Sequence, residues 1–216
     1  MLTMTPTEDR LAVLCLGAHP DDIEIGCGGT LIGLRGRRGT TVEGVVLTGE
    51  GERKEEAEAA LPRFFPGATV QVLGLPDSRL PAHWDQVKTV LESVAVQSHP
   101  SVILAPRTDD SHQDHRLLGR LASTVWRDVL ILHYEIPKWD GDLRTPTHYV
   151  HVSEENARHK VELLNKSFPS QVGRDWWDDE LYLGLMRVRG MESRSRYAEG
   201  FSAHKVLLGF DGRATA

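Results

Sequence analysis

Apolar residues fall along this chain in short runs, separated by stretches whose polar and apolar positions repeat with helical spacing. Residues 11–16 form a continuous apolar run closed by Gly17, the mark of a buried strand, and residues 30–35 read as the first turns of a helix. Further strands are predicted over 41–48, 69–73, 101–105 and 129–133, with helices over 53–65, 84–96 and 115–126 between them. Strands alternating with helices at this spacing predict an α/β fold, a Rossmann-like doubly wound and mostly parallel sheet. After residue 135 the pattern loosens. Residues 137–146 have loop chemistry, 148–152 read as a strand, and 154–166 as a helix with Ser153 as its N-cap. A further helix is predicted over 176–188 and a last strand over 205–210, which makes a C-terminal α+β appendage within one domain spanning 1–216.

At 216 residues the chain is long enough to bury a sizeable core without disulfide support. The net charge of −6 excludes the basic footprint of a nucleic-acid binder. Cys15 and Cys27 are too few and too close for a disulfide framework and read as buried thiols, with a metal role for Cys27 the lesser alternative. The polar first ten residues lack the apolar run of a signal peptide, and no segment reaches the length of a membrane span, so a cytoplasmic location is expected.

Chemistry concentrates in two polar loops. The first, between the first predicted strand and helix, reads Ala18-His19-Pro20-Asp21-Asp22, and the second, after the fourth strand, reads Asp109-Asp110-Ser111-His112-Gln113-Asp114-His115. Pro20 fixes its own φ and biases His19 toward an extended conformation, so the first loop is stiff. In the strand order 3-2-1-4-5, strands 1 and 4 are neighbours at the topological switch point, and the two loops face each other across one crevice at the carboxyl ends of the strands. A catalytic zinc takes three His, Asp or Glu ligands and keeps one position open. His19 and Asp22 with one histidine of the second loop supply such a set. Asp21 is then free to take a proton from the attacking water, and the remaining histidine to polarise a carbonyl.

The His19-Pro20-Asp21-Asp22 run with its following glycines, and His112-x-Asp114-His115, resemble the PIG-L/LmbE-like zinc-dependent N-acetylglucosaminyl deacetylases. Arg53-Lys54-Glu55-Glu56, Leu73-Gly74-Leu75-Pro76-Asp77, Tyr134-Glu135-Ile136-Pro137, Ser170-Gln171 and Tyr197-Ala198-Glu199-Gly200-Phe201 are similar to later blocks of that family, in the same order. The resemblance implies His19, Asp22 and His115 as zinc ligands and Asp21 as general base; three N/O ligands select weakly among zinc, Fe2+ and Co2+, which makes the latter two possible substitutes. It implies that His112 meets the charge developing on the amide carbonyl, that Asp114 orients an imidazole, and that Arg53 and Asp77 contact sugar hydroxyls. The expected substrate is a small N-acetylated sugar conjugate, and the sequence leaves open whether the chain forms a homo-oligomer. Some members carry a tyrosine two residues before the oxyanion histidine, where Asp110 stands here.

Two other readings compete. His19-Pro20-Asp21 with a distant histidine has the composition of the two-His-one-carboxylate triad of non-haem iron enzymes, which makes Asp21 the ligand but usually accompanies an all-β barrel. A non-catalytic, metal-containing carbohydrate-binding module is the other. Trp139, Trp176 and Trp177 could stack on a sugar ring, although packing is the favoured role for Trp176 and Trp177.

Overall fold

The computed structural model describes residues 3–6 and 9–208. Strands β1 (Leu11–Gly17), β2 (Thr40–Thr48), β3 (Thr69–Leu75), β4 (Val102–Pro106), β5 (Leu130–Tyr134), β6 (His148–Val152) and β7 (Tyr197–Ala203) form one sheet in the order β3-β2-β1-β4-β5-β7-β6. The first five strands are parallel, and β7 runs antiparallel to both β5 and β6. The predicted order of the first five strands therefore holds. The C-terminal α+β portion extends the same sheet. Helices α1 (Asp22–Leu34), α2 (Gly51–Phe64), α3 (Trp84–Gln97), α4 (Gln113–Val125), α5 (Glu154–Ser167) and α6 (Asp179–Glu192) cover the sheet. Alternate residues of β1 serve opposite layers: Val13 and Cys15 pack with α1, α2 and α5, whereas Leu14 and Leu16 pack with α3 and α4. Among the described residues no helix is long and apolar enough to cross a membrane.

Three elements differ from the sequence expectation. The last strand lies at Tyr197–Ala203, not 205–210. Its buried Glu199 interrupts the apolar pattern, while Val206, Leu207 and Leu208 stay exposed without regular structure; positions 209–210 lie outside the described residues. Helix α6 starts later than predicted, because the Asp178 carboxylate accepts the Glu180 and Leu181 N–H groups and caps it there. Helix α4 starts earlier, with His112 as its N-cap, so His115 belongs to a helical first turn. Ser153 caps α5 as predicted, accepting the Asn156 N–H at 3.1 Å.

Helix α1 carries the first polar loop into the core and is buried along most of its length. Gly26 lets it lie against Tyr134, since a Cβ there would sit 2.1 Å from the ring. The helix breaks at Cys27 (φ −141°, ψ 16°), whose thiol donates to the Ile23 carbonyl at 3.0 Å. The N–H groups freed by the break, on Gly29 and Thr30, donate to the Glu199 carboxylate of β7 at 2.8 and 2.7 Å. Lys160 of α5 completes this junction, with Nζ 2.6 Å from Glu199 Oε1 and 2.6 Å from the Ile25 carbonyl. Both side chains are 3% exposed, so removing one charge strands the other. Lys160→Met is expected to cost about 3–5 kcal/mol in urea unfolding, with partial recovery in the Lys160→Met/Glu199→Gln double variant.

Candidate active site

The site lies at the carboxyl ends of β1 and β4, where neighbouring strands send their chains in opposite directions. After β1, the Ala18 carbonyl accepts both the backbone N–H and the hydroxyl of Thr48, at 3.0 and 2.8 Å, which ties the loop to the end of β2. The Asp22 carboxylate then folds back on the loop. Its Oδ2 accepts the Ala18 and His19 N–H groups at 2.9 and 2.8 Å. Asp22 is only 2% exposed. Burial works against its charge, but His115 and His19 outweigh it and hold the carboxyl well below the usual range.

Two imidazoles converge on that carboxylate. His19 Nδ1 and His115 Nε2 are 3.0 Å apart, with Asp22 Oδ1 3.2 Å from His115 Nε2 and Asp22 Oδ2 3.5 Å from His19 Nδ1. The two nitrogens and the Asp22 carboxylate, which turns Oδ1 to one ring and Oδ2 to the other, lie close enough together for a divalent cation held at about 2.0–2.2 Å from its ligands. The outward nitrogens also face carboxylates: His19 Nε2 lies 3.3 Å from Asp114 Oδ2 and 3.1 Å from Asp77 Oδ1, and His115 Nδ1 lies 3.3 Å from Asp110 Oδ1. Two rings enclosed by four carboxylates call for positive charge at their centre. Burial notwithstanding, Asp22 and its neighbours push both histidine pKa values up, His115 to about 9. A metal ion supplies the same charge through the ring nitrogens that face inward.

The other predicted residues border this triangle. His112 brings a nitrogen within 4.8 Å of those of His19 and His115. Its Nδ1 accepts the Asp114 N–H at 3.3 Å, which leaves the ring proton on Nε2. Burial, then His115 and His19, push its pKa below the ordinary value and keep the ring neutral. Asp21 is buried and adopts φ 102°, a conformation rare outside glycine. Burial, opposed by Arg53, pushes its pKa up to about 6. Arg53 donates to Asp21 Oδ2 at 2.6 Å, to Glu56 at 2.8 Å and to the Pro20 carbonyl, so it reaches the site through protein acceptors. Asp77 is 72% exposed by side chain, and its hydrogen bond to His19 lowers its pKa to about 2. Asp114 is fully buried, accepts the Leu80 N–H at 3.1 Å, and faces His19 rather than the adjacent His115.

The His19-Pro20-Asp21 version of the two-His-one-carboxylate reading does not match the geometry: Asp22, not Asp21, faces both imidazoles, and the scaffold is α/β rather than an all-β barrel. Cys27 is buried in the core cluster, apart from the histidines. Trp177 packs between Phe168 and Tyr182 and donates to Asn165 at 2.7 Å. Trp176 packs edge-on against it, and Trp139, 74% exposed, touches Trp176. Sequence reasoning missed the support around the site. Glu56 accepts from both the N–H and the hydroxyl of Ser170 at 2.8 and 2.7 Å while pairing with Arg53. Lys138 pairs with Asp110 across a long sequence gap, and only the position of Asp110 ahead of His112 signalled either of them.

The chain has relatives among known proteins. The sequence model of the family described as "PIG-L: GlcNAc-PI de-N-acetylase" matches residues 14–126. YaiS of Escherichia coli (strain K12), named an uncharacterized deacetylase, is 30% identical over 177 residues, which cover 76% of this chain and 94% of that protein. Diacetylchitobiose deacetylase of Thermococcus kodakarensis is 26% identical over 227 residues, 90% of this chain and 84% of that one. The solved structure of a conserved protein from Thermus thermophilus superposes with a TM-score of 0.74 at 25% identity, covering 94% of this chain and all of that chain.

The triangle predicts a division among the three histidines. His19→Ala and His115→Ala are expected to lose stoichiometric metal, and His112→Ala to keep it, as read by elemental analysis of the purified proteins. One zinc per chain in His19→Ala removes that residue from the ligand set.

Proposed function

This chain belongs to the PIG-L family, and from that premise we propose that it is a zinc-dependent hydrolase removing the N-acetyl group from a GlcNAc-type sugar or its conjugate. The observation that carries the reading is the convergence of His19 Nδ1, Asp22 and His115 Nε2 beside Asp21 and His112 at one switch point. The match to a diacetylchitobiose deacetylase supports the substrate class. The nitrogen and oxygen donors suit zinc and also accept Fe2+ or Co2+.

His19, Asp22 and His115 would hold the cation, which would supply Lewis acidity and bring the pKa of water down toward neutrality. Asp21 takes the proton as water adds to the amide carbon. Arg53 holds Oδ2 of that carboxylate, and the unusual backbone conformation fixes its direction. His112, protonated on Nε2, donates toward the carbonyl oxygen as charge develops there. When the C–N bond breaks, the departing amine takes back from Asp21 the proton that this carboxylate accepted from water, and acetate and a free amino sugar leave. Asp114 holds the outer nitrogen of His19. Asp77, exposed beside the same ring, accepts from a sugar hydroxyl, and Arg53, partly exposed beside Asp21, is the second substrate contact.

The direct test is acetate release from GlcNAc, N,N'-diacetylchitobiose and larger GlcNAc conjugates. Activity is expected with zinc, lost on chelation and restored by the metal; a zinc-loaded protein inert toward the whole panel overturns the reading. Within an active protein, Asp21→Asn is expected to keep the metal and the fold while kcat falls by about 10²–10⁴-fold. Asp22→Asn is expected to lose metal instead, because a neutral amide is a poorer ligand than a carboxylate. Elemental analysis beside steady-state kinetics separates the two.

A further inference from the structure

We infer that Asp110, held by Lys138, is a positioning residue that sets the ring of His115 for metal binding. This rests on the reading of His115 as a ligand. An imidazole that ligates through one nitrogen presents its other N–H to an acceptor, and a carboxylate there fixes the tautomer, orients the ring and raises its basicity. For His19 that place is taken by Asp114. For His115 it is taken by Asp110, whose Oδ1 lies 3.3 Å from Nδ1 while Nε2 faces Asp22 and His19.

Asp110 is itself firmly placed. Its side chain is 1% exposed, and the same Oδ1 accepts the His112 N–H at 2.8 Å. One carboxylate oxygen thus holds the His115 ring and the backbone from which His112 projects. Lys138 Nζ lies 2.9 Å from Oδ1 and 3.0 Å from Oδ2, which balances the buried charge. Lys138 is in turn paired with Asp142 at 2.9 Å, and Asp142 Oδ2 accepts the Ser111 N–H at 2.7 Å. Arg107, at the end of β4, donates to the Asp142 carbonyl at 2.8 Å. The segment after β5 is in this way laced to the metal-bearing loop after β4, and Asp110 is where the lacing meets a ligand. Neighbouring Asp109, 58% exposed and paired with Arg107, makes no such contact and serves as the control.

The experiment measures the zinc dissociation constant by competition with a chromophoric chelator, for the wild type, Asp110→Ala, Asp110→Asn and Asp109→Ala. The cobalt-substituted proteins give the visible absorption of the site as a second readout. Asp110→Ala is expected to weaken zinc by about 10–100-fold and to alter the cobalt spectrum. Asp110→Asn, which keeps an oxygen for Nδ1 but not the charge, is expected to fall between it and the wild type. Asp109→Ala is expected to match the wild type. If Asp110→Ala does not fold, Asp110→Asn carries the test alone. Wild-type affinity and an unchanged cobalt spectrum in a folded Asp110 variant overturn the inference and leave the ligand set intact. A wild-type protein that holds no zinc overturns the ligand reading and this inference with it.

Discussion

A single buried carboxylate sets the terms for the rest of this molecule. Asp22 sits at the head of α1, out of contact with water, and a bare anion in such a place is tolerated only with full compensation. Backbone N–H groups from Ala18 and His19 satisfy one oxygen, and two imidazoles face the carboxylate, one from the loop after β1 and one from the first turn of α4. These contacts require β1 and β4 to be adjacent, the first loop to turn tightly, and α4 to begin early enough to carry His115 inward. The stiffness introduced by Pro20 and the tie from Thr48 serve the same end.

The C-terminal elements hold this arrangement through buried charge rather than through apolar contact alone. Glu199 caps the second half of α1 and is neutralised by Lys160. Glu135 and Arg189 form a two-point pair at 2.9 and 2.6 Å next to the same helix. Glu56 links Arg53, and through it Asp21, to Ser170. Such pairs add little net stability compared with apolar packing, but each is satisfied only in one geometry. They confine α1 and its loop to the position at which the site residues meet.

Electrostatics also separates the two adjacent aspartates. Asp22 faces histidines and is held ionised, whereas Asp21, turned away by its φ of 102°, faces Arg53 and has its proton affinity raised by burial. Adjacent residues of one type thereby acquire different chemistry. A carboxylate near neutrality is suited to accepting and returning a proton, and one well below it to ligation.

The alternation of apolar runs with helical segments determined the parallel core of the sheet, because buried strands and amphipathic helices leave different periods in a sequence. The placement of His19, Asp21, Asp22, His112 and His115 was legible for a related reason: strand ends mark loops, and the doubly wound topology brings two of those ends together. Residues whose role depends on a distant partner left no such trace. Glu199 broke the pattern of its own strand, and the apolar residues at 206–208 drew the prediction away from it. Asp110 and Lys138 are ordinary polar residues until the fold sets them 2.9 Å apart. Which acid faces which imidazole, and that Arg53 approaches the site through Asp21, were decided only by the tertiary structure, since they depend on side-chain direction and desolvation rather than on spacing along the chain.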